Sequence, residues 1–169
     1  MRKGLIILGD LRDEDLIWLS RAGELREIPA SEAIITAGHE VKDLFFITNG
    51  HFSVEINGTS VAELAMGDVL GEMSFVEKRA PSASVIAKEG ARVLAVPRAR
   101  LMREFETNDG FAARFYRALA VFLSDRLRAM GPPGDRDEID EGLLETLHVA
   151  GDRMLRLIDL LEGEVVPSA

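Results

Sequence analysis

The residues best suited to chemistry lie in one stretch, Gly67-Asp68-Val69-Leu70-Gly71-Glu72-Met73-Ser74-Phe75, followed by Val76–Ala80 and then Pro81-Ser82-Ala83-Ser84-Val85. Gly71 has no side chain, so the backbone there can come close to a ligand. Where Glu72, Met73 and Ser74 open a short helical turn, their successive N–H groups form a nest for an anion. An ionised Glu72 only accepts hydrogen bonds, which suits it to sugar hydroxyls. Ser82 and Ser84 flank a point where a phosphate can be held. A turn between strands needs glycines in any case, so the residues by themselves name an anion site without naming its ligand.

Other chemistries lack their parts. There is no cysteine, hence no disulfide framework, thiolate zinc site or cysteine nucleophile. His39, His51 and His148 are the three histidines. His39 and His51 stand twelve apart with no His-x-His, so a metal-holding barrel is not expected, and no nucleophile–base pair is visible. His39 reads as an exposed turn residue, His51 as a strand residue and His148 as a helix-face residue. Trp18 reads as packing for an N-terminal helix. No catalytic residue, metal or cofactor is predicted, and the chain is not expected to be an enzyme.

The elements that must position the stretch follow from punctuation and period. At 169 residues and 18.6 kDa the chain is one domain with room for a helical extension. From 24 to 96, glycines separate short β-type runs: Glu24–Ile28, Glu32–Thr36, Leu44–Thr48, His51–Asn57, Thr59–Ala65, Ala83–Lys88 and Arg92–Val96. Asn57-Gly58 is the strongest hairpin signal, because both residues tolerate positive φ. Many short strands at such spacing predict a small barrel or jelly roll. Asp13–Leu25 predicts a helix before the strands. After them Pro97 can take the first turn of a helix, and Asp109 can cap a longer one. In it Phe111, Phe115, Ala118, Leu119, Phe122, Leu123, Leu127 and Met130 recur at spacings of three and four. Gly131-Pro132-Pro133-Gly134 stops that helix, and a second is predicted over 136–161. Its Leu143, Leu147, Ala150, Met154, Leu157 and Leu161 form a heptad seam. The seam predicts a homodimer through 139–161; the alternative is a helix lying back on its own barrel.

The net charge is −9, with +3 on residues 97–130, −7 on 131–169 and −5 on 1–96. A net anion does not favour nucleic acid or anionic membranes. Helical segments of opposite sign can pair with each other or across a dimer, or remain solvated faces. Leu5–Leu8, four apolar residues, is too short for a signal-peptide core, and no long apolar run exists for a membrane span. The expected location is the cytoplasm.

The ordered pattern resembles the cyclic nucleotide-binding domain family, which includes catabolite activator proteins, regulatory subunits of protein kinase A and cyclic-nucleotide-gated channels. Gly67–Ser84 is similar to its phosphate-binding cassette. "DLFFITNGHFSV" at 43–54, "VAELAMGDVLGEMSF" at 61–75 and "SASVIAKEGARVLAVPR" at 82–98 match in order, within a resemblance covering about 11–130. It implies a mainly β fold with flanking α: an eight-stranded jelly roll with an N-terminal helix and C-terminal helices. Residues 1–130 would form the domain, with the roll at about 24–96 and a helix at about 97–130, and 131–169 an acidic dimerisation helix. By position, Gly71 and Glu72 match the ribose pair, with Glu72 taking the 2′-OH. Met73 and Ser74 match the phosphate shell, and Ser82, Ala83 and Ser84 supply further contacts. One position departs. Where the family usually has the arginine that pairs with the cyclic phosphate, nine residues after Glu72, this chain has Pro81. Lys78 and Arg79 lie nearby, either reaching inward or facing solvent.

The resemblance implies a stand-alone regulatory module in signal transduction, binding a cyclic nucleotide such as cAMP or cGMP weakly, with a protein partner it does not name. The alternative is a degenerate, non-binding member acting as an oligomerisation or protein-interaction scaffold. The family's transcription regulators add a helix-turn-helix domain of roughly sixty residues. Only 39 residues follow Met130, and they carry −7, so DNA binding is not expected.

Overall fold

Turn residues cut the chain into strands much as the sequence predicts. The computed structural model describes residues 5–129 and 141–163. Its strands are β1 Glu24–Ile28, β2 Ala33–Ile35, β3 Asp43–Asn49, β4 His51–Ile56, β5 Thr59–Ala65, β6 Val69–Leu70, β7 Ser84–Ala87 and β8 Ala91–Pro97. They form two four-stranded antiparallel sheets, ordered β1-β8-β3-β6 and β2-β7-β4-β5, consistent with the eight-stranded jelly roll. Asn57 and Gly58 have φ of 52° and 77°, the backbone of a primed turn joining β4 to β5. β6 is absent from the predicted strands because two residues cannot display alternation; it pairs with Phe45 and Phe46 of β3.

The middle of β3, Leu44–Ile47, is wholly apolar because both faces of the strand are buried there. Phe45 and Ile47 point between the sheets with Phe52, Val85 and Val93, while Leu44 and Phe46 point out onto helices. A strand covered on both sides loses the polar alternation of a half-exposed one.

The helices are α1 Leu5–Asp10, α2 Asp13–Ala22, α3 Arg98–Thr107, α4 Asp109–Ala129 and α5 Glu141–Gly163. Three boundaries correct the sequence reading. α2 ends at Ala22, and Leu25 belongs to β1. Pro97 closes β8 rather than entering a helical turn. Asn108, not Asp109, caps α4, its Oδ1 accepting the Phe111 N–H at 3.1 Å. Asp109 then falls in the first turn, where its charge meets the positive end of the helix. The predicted Gly131–Gly134 stop lies outside the described residues.

The helical layer is held by rings and arginines. Trp18 meets Phe111 edge-on at 5.6 Å, Phe111 meets Phe105 at 5.2 Å, and Phe105 and Phe75 each meet Phe115 at 5.1 Å. Trp18 is thus a packing residue, as read from the sequence. On α4, Arg114 grips Asp15 with two bonds of 2.7 Å, and Asp15, 1% exposed, also accepts the Arg12 N–H at 2.8 Å. That carboxylate raises the Arg114 pKa, so the guanidinium is charged at any working pH.

α5 lies back on the domain. Ala150, Met154, Leu157 and Leu161 are buried in one cluster with Ile7, Leu8 and Leu11, and the helix packs on α1 and α2. Arg153 donates to the carbonyls of Leu8 and Gly9 at the end of α1, and Arg156 to Asp13 at 2.8 Å. This part of the heptad seam is therefore covered by the chain itself; the Leu143 and Leu147 side chains lie outside the described ones. Among the described side chains, Arg114 and Arg117 of α4 and Arg156 of α5 pair with acids at 10–15 in the N-terminal helices.

Candidate functional site

The stretch singled out in the sequence crosses from one sheet to the other. Gly71 follows β6, and Glu72–Phe75 form a single 3-10 turn. Gly71 has φ +85°, and a Cβ there would lie 2.5 Å from the Asp43 carbonyl oxygen and 3.1 Å from Val41 Cγ1. Glycine is required twice at this point, by the left-handed backbone and by the abutting start of β3. Phe75 ends the turn against Phe115, and the Arg98 guanidinium sits 5.8 Å from the Phe75 ring centre. The turn is thus anchored to α3 and α4 through its last residue.

Each predicted site residue has a definite place. Glu72 is buried at the start of the turn. Met73 is half-buried, and its N–H, like that of Glu72, precedes the first bond that closes the turn. Ser74 makes that bond: its N–H donates to the Gly71 carbonyl at 3.2 Å and its hydroxyl to the same oxygen at 2.7 Å. Both Ser74 donors are spent locally, so Ser74 drops out of the three-donor nest read from the sequence. The physical reason is the tightness of a 3-10 turn, which recruits its third N–H for itself.

Across the exposed residues 76–80, Ser82 is exposed and Ala83 half-buried. Ser84 opens β7 opposite Glu55, on the other parity from buried Val85, and its Oγ accepts the Ala37 N–H at 3.0 Å. Ser84 therefore ties β7 to the loop after β2. Pro81 is half-buried, and its carbonyl accepts the Gly38 N–H at 2.8 Å. Lys78 and Arg79 are both exposed.

Sequence reasoning missed a set of apolar residues. Ile34, Val41, Val54 and Leu64 are only partly buried, packed at the edge of the inter-sheet core. They come from β2, the loop ahead of β3, β4 and β5, and Val41 adjoins Gly71. Val54 shares the parity of buried Phe52, and Leu64 pairs with Phe52, but Val41 lies in a loop and Ile34 adjoins buried Ile35, so no sequence signal marks the four as a set.

No group of three or more His, Asp or Glu suited to a metal exists among the described residues. No helix among them is long and apolar enough to cross a membrane. His51 is exposed, with Nδ1 2.6 Å from Glu89 Oε1, and His148 is exposed on α5.

Residues 25–108, about half of the chain, match the family model for the cyclic nucleotide-binding domain. That stretch belongs to this family. The domain is 35% identical over 109 residues to the Pycsar effector protein XpPycTIR of Xanthomonas perforans, covering 64% of this chain and 36% of that protein. The chain thus spans about a third of the length of this curated relative. Among solved structures, the catabolite activator protein of Thermus thermophilus superposes with a TM-score of 0.63 at 20% identity, covering 95% of this chain and 88% of that one. A cyclic nucleotide-binding domain from Methylobacillus flagellatus gives 0.66 at 20% identity, with 75% and 78% covered. These likenesses show the fold.

Proposed function

We propose that this domain is a non-catalytic sensing module of a regulatory system, with a cyclic nucleotide pocket in which the phosphate is poorly paired. Gly71, Glu72, Met73, Ser82 and Ala83, with the wall of Ile34, Val41, Val54 and Leu64, form the pocket; Ser74 and Ser84 hold its shape. Glu72 accepts a ribose hydroxyl, the apolar wall receives the base, and the cyclic phosphate faces neutral donors. The observation that carries this reading is Pro81, which has neither charge nor N–H and whose carbonyl is taken by Gly38. A charge-assisted hydrogen bond lost at such a site weakens binding by about 1.5–3 kcal/mol, tenfold to over a hundredfold. Calorimetry of the full chain with cyclic AMP, cyclic GMP and cyclic di-GMP tests it. Weak or absent binding supports the reading; low-micromolar binding of a cyclic mononucleotide by the unaltered chain at neutral pH opposes it.

The spent donors of Ser74 favour a second reading, in which the nest is closed and the domain serves as a protein-interaction scaffold. A variant with arginine restored at position 81 that folds yet ignores every cyclic nucleotide supports this alternative. Homodimerisation through 139–161 is a separate proposal that α5 narrows. With Ala150, Met154, Leu157 and Leu161 covered by the chain, a dimer built on that seam requires α5 to leave α1.

A further inference from the structure

Lys78 and Arg79 have no part in the pocket, yet they stand out in this chain. In a sequence of net charge −9, Arg2-Lys3 and Lys78-Arg79 are the two places where basic residues adjoin. Residues 76–80 are exposed throughout, and 77–81 form neither helix nor strand. A residue ahead of proline favours extended backbone, so Ala80 before Pro81 keeps the stretch open along its length. Ser82, also exposed, stands three residues after Arg79 and four after Lys78. No other serine or threonine of the chain has an arginine three places ahead of it. The neighbouring hydroxyls are engaged: Ser74 donates to the Gly71 carbonyl at 2.7 Å, and Ser84 Oγ accepts the Ala37 N–H at 3.0 Å. Beyond Ser82 the chain enters β7 at Ser84, so a visiting protein reaches the residues ahead of Ser82 rather than those after it.

We infer that Ser82 is a phosphorylation site for a protein kinase that reads basic residues three and four places ahead of its acceptor, and that the phosphate closes the pocket to an anionic ligand. The first half stands on the loop alone; the second rests on the nucleotide-pocket reading and adds its regulation. In the transfer, Ser82 Oγ bonds to the γ-phosphorus of ATP as the bond from that phosphorus to the ADP oxygen breaks. The hydroxyl proton passes to the kinase's base. Phosphoserine carries about −1.5 to −2 charges at neutral pH. At 82 it adjoins Pro81, and Lys78 and Arg79 are the nearest cations along the chain to pair with it. A cyclic phosphate arriving between 71–74 and 81–84 then meets like charge, with no arginine at 81 to offset it.

The test incubates the full chain with magnesium ATP and the free catalytic subunit of protein kinase A, a kinase that reads arginine ahead of serine. Intact mass and peptide mapping follow the product, and circular dichroism checks the fold of each variant. One phosphate is expected on Ser82, none on Ser82→Ala, and transfer about tenfold slower or worse on Arg79→Gln, which loses a charge-assisted contact to the kinase. A chain that takes no phosphate, takes it equally as Ser82→Ala, or takes it at an unchanged rate as Arg79→Gln overturns the site. Pro81→Arg is then titrated with cyclic AMP by calorimetry before and after phosphorylation at Ser82. Binding is expected to be about tenfold weaker or worse in the phosphorylated form. Equal affinity of the two forms overturns the closing role and leaves the pocket reading intact. Silence of both forms removes the pocket reading and the closing role with it, while the mass spectra decide the site by themselves.

Discussion

Replacing Gly71 by alanine separates two costs that the structure assigns to one position. The left-handed backbone, φ +85°, costs an L-residue about 1–2 kcal/mol. The new Cβ would also stand 2.5 Å from the Asp43 carbonyl oxygen, a main-chain atom that cannot swing aside. Overpacking of that kind adds about 1–3 kcal/mol. The sum is about 2–5 kcal/mol, or a fall in Tm of roughly 5–15 °C for a chain of this size. Two controls divide the sum. Gly58 has φ +77° with nothing within 4 Å of its would-be Cβ, so Gly58→Ala carries only the backbone cost. Gly90 has open space and no positive φ, so Gly90→Ala should be neutral or stabilising by up to about 1 kcal/mol through its unfolded state. Differential scanning calorimetry on the three variants gives the order directly. Gly71→Ala must be the worst by a clear margin. If it melts with Gly58→Ala, the cassette does not abut β3, and the pocket geometry built on that contact is wrong.

Two further outcomes follow from the helical layer. Asp15→Ala leaves Arg114 with only the exposed Glu14, 3.4 Å away, and removes a buried charge-assisted pair, so it should cost about 1.5–3 kcal/mol, read as a lowered urea midpoint with an unchanged m-value. Leu157→Asp places a charge in a contact buried within the chain, so it should destabilise the fold by several kcal/mol, about what an unpaired buried charge costs. A Leu157→Asp protein that keeps its stability but changes from dimer to monomer by light scattering contradicts intramolecular docking of α5.

The roll was legible because its turns are chemically marked. Pro29–Ser31, Asn57-Gly58 and the other glycines separate seven of the eight strands, and only Val69–Leu70 is too brief to register. α1 escaped for a related reason. A six-residue helix has no propensity to display, and its stability comes from Ala150, Met154 and Leu157 lying over Ile7, Leu8 and Leu11. For α5, spacing identified the apolar stripe but not its cover, since one 3-4 pattern suits a second copy or the chain's own helices. At the site, Gly71 and Glu72 stood out by type and order. The donors lost at Ser74 depend on how tightly one turn closes, and the half-covered wall of Ile34, Val41, Val54 and Leu64 depends on where a core stops. Neither is written in residue type.

Restoring the missing charge tests the central claim most directly. Wild type, Pro81→Arg and the double variant Pro81→Arg with Glu72→Ala are titrated with cyclic AMP and cyclic GMP by calorimetry in one buffer at neutral pH. The structure predicts weak or undetectable binding by wild type, a gain of about tenfold or more in Pro81→Arg, and loss of much of that gain in the double variant. Tight binding by the wild type, or a folded Pro81→Arg protein that binds neither nucleotide, contradicts it.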